Sequence, residues 1–365
     1  MKLAWFRAAP PDAGSCLDDD AGALIAELRA THDITVFTAA NAHDFVWMHF
    51  RAPYDLCVHE LDNTDAHQFI WPYLLHYGGV LRLHTQTLID SRSAALAREG
   101  RTIDYQREVA FNQGWAMLRA PLLASRLVIV PHAFTAEALM EQYPEARVRV
   151  APAGVREARE VPEVRGSTVT FGVLDDGRLE VVERAVQRAR DGGAAAELMA
   201  DASPTRVLQE ADVILALRWP TFGEPLTTAI AGMAAGKPVV VYEIETTADW
   251  PAFDPQTWQP RGTSGGAPIV VSIDPRDEEH SLMLAIRTLA ADRELRAQIG
   301  RAAHDWWRAN ATIAHAADAW RTLLIEAASL APPARPADWP AHLTADGTEG
   351  ARRILAEFGE RVDFL

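Results

Sequence analysis

Short apolar runs separated by longer amphipathic stretches recur along most of the chain. Leu3–Phe6, Ile34–Phe37, Asp55–His59, Val80–His84, Leu127–Val130 and Val148–Ala151 are brief, rich in β-branched and aromatic residues, and read as strands. Helical patterns lie between most of them, an alternation that predicts one parallel, Rossmann-like domain over 1–155. Gly154–Ser167 is charged and aperiodic, contains Pro162 and Gly166, and reads as an interdomain linker. A second α/β series follows over 156–330, with strands at Val169–Leu174, Ala195–Met199, Val213–Leu217, Val239–Tyr242 and Ile269–Val271. After a helix ending near Ala328, Pro332-Pro-Ala-Arg-Pro336 marks a break before a tail over 331–365 whose Gly350–Phe358 segment has helical character. Two parallel-sheet domains in tandem place a cleft between the carboxyl ends of their strands.

Composition narrows the partners. A length of 365 residues fits two domains of ordinary size, and 48% apolar residues suffice for two cores. The cysteines, Cys16 and Cys57, lie far apart without ligand spacing, the pattern of reduced thiols in a cytoplasmic protein. The first residues, Met-Lys-Leu-Ala-Trp-Phe-Arg, form a strand rather than a signal peptide, and no apolar run reaches the roughly 18 residues of a membrane span. A formal charge of −15 argues against nucleic acid and against a polybasic anchor. Peripheral membrane contact and oligomeric state stay open. Only Lys2 and Lys237 are lysines, so nearly every cationic task falls to arginine.

The densest chemistry lies in Arg218-Trp-Pro-Thr-Phe-Gly-Glu224-Pro-Leu-Thr-Thr, which leads to Gly236-Lys-Pro-Val-Val-Val241. Asp212–Leu217 is a buried strand, and Pro220 and Gly223 break the loop that follows. Leu226–Ala235 is small-residue rich and forms a helix. The first-turn amides of that helix favour an anion such as a diphosphate, with the hydroxyls of Thr227 and Thr228 as extra donors. Glu224 either caps the helix or meets neutral donors such as sugar hydroxyls. The loop Pro10–Ser15 gives Gly14 and Ser15 a place where amides can approach a phosphate. Asp18-Asp19-Asp20 reads as a helix-start charge run rather than a metal motif. His84 ends a strand facing the cleft, where an imidazole can donate to a sugar hydroxyl or hold a phosphate.

The run Arg218-x-Pro-x-x-Gly-Glu224, with Gly236-Lys-Pro-Val, resembles the donor-site motif of family 4 GT-B glycosyltransferases, the retaining hexosyltransferases. Pro10–Ser15 resembles that family's phosphate loop with Gly and Ser exchanged. Leu61-Asp-Asn-Thr-Asp-Ala-His67 and Val80-Leu-Arg-Leu-His84 resemble its first-domain elements, with Thr85 where the family has aspartate. Val128–His132 and Val148–Val155 resemble its closing strands, where His132 has a structural place. The resemblance implies an α/β GT-B fold: two Rossmann-like domains facing across a cleft, with a tail that crosses back to the first domain.

It also implies that Glu224 contacts the transferred sugar and that His84 touches it. Gly14, Ser15, Arg178, Arg218 and the loop Gly223, Pro225, Leu226, Thr227 and Thr228 would hold the leaving diphosphate. Arg178 stands close to where the family places a phosphate-clamping lysine. No metal and no cofactor is implied beyond the nucleoside diphosphate sugar itself. The second glutamate of the family's Glu-x7-Glu pair falls at Ala231 or Gly232 and is absent, and the donor domain lacks a β-α-β portion before Leu217. The expected activity is metal-independent, retaining transfer of a hexose to an unidentified acceptor, in bacterial polysaccharide or glycoconjugate synthesis. The alternative is a GT-B-like protein that binds a partner or a nucleotide sugar without transfer.

Overall fold

A computed structural model describes residues 1–9, 19–157, 167–175, 178–200, 202–261, 266–345 and 349–359. Six strands, β1 Lys2–Phe6, β2 Asp33–Phe37, β3 Leu56–Leu61, β4 Val80–Leu83, β5 Leu127–Val130 and β6 Val148–Val150, form one sheet in the order β2-β1-β3-β4-β5-β6. Every pair in it is parallel. Between these strands run α1 Asp20–Leu28, α2 Asp44–Arg51, α3 Ile70–Tyr77, α4 Ile89–Arg98, α5 Thr102–Phe111 and α6 Arg119–Ala124, and α7 Ala133–Gln142 joins β5 to β6. Alternate side chains serve opposite faces, as the pleat requires. Ala4 and Phe6 join the cluster beneath α3 and α6, whereas Leu3 and Trp5 join the one beneath α1.

The second sheet contains β7 Val169–Val173, β8 Ala196–Met199, β9 Val213–Ala216, β10 Val239–Tyr242, β11 Ala252–Phe253, β12 Pro260–Arg261 and β13 Val270–Ile273. Its order is β12-β11-β13-β10-β9-β7-β8, parallel except for the β12 edge. The helices here are α8 Leu179–Asp191, α9 Pro204–Glu210, α10 Thr227–Ala234, α11 Glu278–Ala291 and α12 Arg293–Asn310. The helices α8 and α11 cover one face, and α10 and α12 the other. Two-residue strands such as β11 and β12 are too short for periodicity to mark them.

The last long helix, α13 Ile313–Ser329, falls within the span 156–330 expected of the second domain, yet it packs on the first sheet. Trp320, Leu323, Leu324 and Ala327 share a core with Leu3, Trp5 and Leu28, and the Trp5 and Trp320 rings lie 5.2 Å apart. At on the order of 2 kcal/mol for each large apolar side chain buried, this contact holds the crossover in place. The chain therefore returns before residue 331. The tail stays on the first domain: Arg119 pairs with Asp338 at 2.6 Å, Trp339 meets Phe111 edge-on, and His342 lies 2.8 Å from Glu108. It also carries α14 Glu349–Glu357. No helix among the described residues is long and apolar enough to cross a membrane.

Candidate functional site

Both sheets have a switch point where the strand order reverses, between β1 and β3 and between β7 and β9. Crevices open at the carboxyl ends of such strand pairs, because the following connections diverge to opposite sides. The two crevices share an open cavity of about 570 Å³. The first domain lines it with Arg7, Glu60, Asp62, Thr64, His67 and His84, the second with Arg218, Glu224, Pro225 and Thr227.

The loop between β9 and α10 crosses to the first domain. Gln86 N donates to Phe222 O at 2.6 Å, and His132 Nε2 donates to Glu224 O at 3.0 Å. Gly223 lies between them at φ +85°, where a Cβ would come within 2.8 Å of Thr135 Oγ1 and 2.9 Å of Gln86 Nε2. Only glycine takes this conformation and this close approach without strain. Burial holds the His132 imidazole below its ordinary pKa despite the Glu224 carbonyl, which favours the neutral ring that donates from one nitrogen.

Glu224 Oε2 accepts from the Phe222 amide at 2.7 Å, while α10 begins after Leu226 without a side-chain cap. Glu224 therefore shapes its own loop and leaves the first-turn amides of α10 to other acceptors. Leu226 and Thr228 sit in a small adjoining recess with Arg218 and Asp175. Thr228 Oγ1 donates to Asp175 Oδ2 at 2.9 Å, and Arg218 Nε lies 3.4 Å from Asp175 Oδ1. The Asp175 side chain is only 8% exposed, so a carboxylate occupies the place where an anion would meet Arg218 and the helix.

Arg178 lies elsewhere. Its Nε donates to Glu278 Oε1 at 2.8 Å and its Nη2 to the other carboxylate oxygen, and Tyr242 bonds the same carboxylate. It does not line the main cavity. Gly14 and Ser15 lie outside the described residues. Asp19 caps α1 through the Gly22 amide and pairs with Arg7 at 2.6 Å, the arrangement of a helix-start charge run. Asn63 caps the start of α4 through the Asp90 amide at 2.7 Å. Thr85 is buried, and its hydroxyl has no partner among the described residues. No group of three His, Cys, Asp or Glu among those residues is placed to hold a metal.

The cavity floor rests on residues to which the sequence reading gave no role. Glu60 and Arg82 are register partners on β3 and β4. Glu60 accepts from Trp5 Nε1 at 2.6 Å and Arg82 Nη1 at 3.3 Å, and Arg82 Nη2 reaches Asp20 at 2.5 Å. Burial pushes the Glu60 carboxyl up, but Arg82 and His84 outweigh it and hold it well below the usual carboxylate range. His84 Nε2 stands 3.8 Å from Glu60 Oε2, so the fixed carboxylate orients the imidazole at the cavity wall. The signal in the sequence is a charge inside each of two strands that are apolar but for His59, Leu-Cys-Val-His-Glu-Leu and Val-Leu-Arg-Leu.

Solved structures with this arrangement exist. HepE of Anabaena, in complex with UDP and glucose, superposes with a TM-score of 0.57 at 14% identity, over 89% of this chain and 100% of that one. The chain has the GT-B fold. WaaG, a glycosyltransferase involved in lipopolysaccharide biosynthesis, gives a TM-score of 0.53 at 12% identity over 87% of this chain and 98% of its own. An E. coli trehalose-6-phosphate protein bound with UDP-2-fluoro glucose gives 0.50 at 12% identity, over 91% and 100%. No protein-family model and no curated protein matches the sequence. In GT-B terms, β1–β6 with α13 build the first domain and β7–β13 the second, with the cavity at their seam.

Proposed function

We propose that this GT-B protein transfers a hexose from a nucleoside diphosphate sugar to an acceptor hydroxyl, with retention and without a metal. One observation carries the reading: Glu224, His84, Arg218 and Thr227, drawn from both domains, line a single cavity at the paired switch points. The anomeric carbon–oxygen bond to the diphosphate breaks as the bond to the acceptor oxygen forms, and the acceptor proton leaves with the diphosphate. Negative charge grows on the diphosphate during this step. Arg218, Thr227 and the first-turn amides of α10 stabilise it there, an electrostatic contribution that needs no nucleophile from the protein. Glu224 accepts from sugar hydroxyls and fixes the ring, and His84, held by Glu60, donates to the sugar. HepE and the E. coli protein bind UDP or a UDP-sugar, which makes UDP the first nucleotide to try. We place the reaction in the cytoplasm, in bacterial polysaccharide or glycoconjugate synthesis.

Asp175 supports a second reading, a GT-B protein that binds without transfer, because its carboxylate opposes a diphosphate beside Arg218. Calorimetry with UDP, GDP, ADP and dTDP, on wild type and Arg218→Ala, separates the two readings. Selective binding lost in the variant, followed by turnover in a sugar and acceptor screen, supports transfer. Selective binding without turnover supports a nucleotide-sugar binder, and no binding to any nucleotide supports a GT-B protein that binds a partner instead.

A further inference from the structure

Next to the Glu224 loop, through His132, lies a second cavity of about 330 Å³ that shares no lining residue with the first. The first domain contributes His132 and Phe134, the second Glu245, Asp249, Trp250 and Trp306. The Trp250 and Trp306 rings meet at 57° with centroids 5.5 Å apart, and Phe134 is 44% exposed. Three aromatic groups and two carboxylates thus surround one space. Among the described residues no arginine or lysine lines it, and the side chains of Glu245 and Asp249 make no hydrogen bond or ion pair there.

We propose that this cavity binds a small organic cation, a quaternary ammonium or an alkylated amine. The faces of tryptophan and phenylalanine carry negative potential and attract a cation whose substituents are apolar. Two carboxylates without an ion-pair partner, both at exposed positions, add charge of the same sign, so a cation is favoured over an anion. A bare metal ion fits poorly, since no group of three His, Cys, Asp or Glu among the described residues is placed to hold one and the space far exceeds an ion. His132 is held neutral by burial and adds no opposing charge. Its bond to the Glu224 carbonyl also puts the cavity one residue from the donor-site loop. An occupant touches both domains at once and so favours the arrangement in which they meet.

The test is calorimetric titration of the full chain with tetramethylammonium chloride, against sodium chloride at equal ionic strength and against methyl glucoside. Saturable binding of tetramethylammonium alone is expected, weakened about tenfold or more by Asp249→Asn and by Trp306→Leu. Trp306 also packs on the core, so Glu245→Gln, at an exposed position, serves as a second charge variant with no packing cost. Binding should persist in Arg218→Ala, which separates this site from the donor cleft. The proposal falls if tetramethylammonium does not exceed the sodium control, if neither charge variant weakens it, or if methyl glucoside binds equally well.

Discussion

Asp175 and Arg218 face one another at the carboxyl ends of β7 and β9, Oδ1 to Nε 3.4 Å apart, with Thr228 bonded to the other carboxylate oxygen. An acid is thereby seated among the very donors that the proposed mechanism assigns to a diphosphate. Nucleotide binding must displace it or accept its repulsion.

Asp175→Asn keeps an acceptor for Thr228 and removes the charge. It should tighten nucleoside diphosphate binding by about tenfold, a difference of about 1.4 kcal/mol, measured by calorimetry. Unchanged or weaker binding would show that the anion sits elsewhere.

Glu224→Gln keeps the size of the side chain and an acceptor for the Phe222 amide. Transfer should fall by about 100-fold or more, as for loss of one preorganised transition-state contact, with stability changed by less than about 1 kcal/mol. Steady-state rates and thermal unfolding read the two quantities separately; full activity in the variant would remove Glu224 from the mechanism.

Gly223→Ala places a methyl group 2.8 Å from Thr135 Oγ1 at φ +85°. The strained backbone should cost about 1–3 kcal/mol and loosen the seam. A lowered unfolding temperature together with weaker nucleotide binding is the expected pair, and a variant as stable as wild type would contradict the tight approach.

Glu60 ties acid stability to the cavity floor. Its folded pKa lies below the unfolded value of about 4.3. The stability it contributes is therefore complete above the unfolded pKa and is lost as pH falls through the lowered folded one. Glu60→Gln should unfold more readily at neutral pH, by about 3–5 kcal/mol for a broken buried pair, and should show a shallower loss of stability below about pH 4. Denaturant midpoints across pH 2.5–7 measure both, and parallel curves for the two proteins would exclude Glu60 as the source.

The strand–loop–helix unit that carries Arg218 and Glu224 was legible because its signals are local. Arg218, Glu224 and the start of α10 lie within one strand–loop–helix unit, so their order in the chain already implies one site. Arg178 differs: the sequence puts it at a helix start close to where the family clamps phosphate, but its charge is taken by Glu278, one hundred residues later. The tail is a similar case. Its proline run marks a break, while the crossover itself occurs in α13, whose apolar stripe fits either sheet until Trp5 and Trp320 meet.

By itself, the sequence determined the strand–helix alternation, the parallel sheets and the loop bearing Glu224, since periodicity, proline and glycine act over a few residues. Tertiary structure alone decided which polar groups pair. Glu60 with Arg82, Asp175 with Arg218 and His132 with the Glu224 carbonyl join positions 22, 43 and 92 residues apart. Such contacts depend on strand order and domain docking, which set the distance between charges and the burial that gives each pairing its strength.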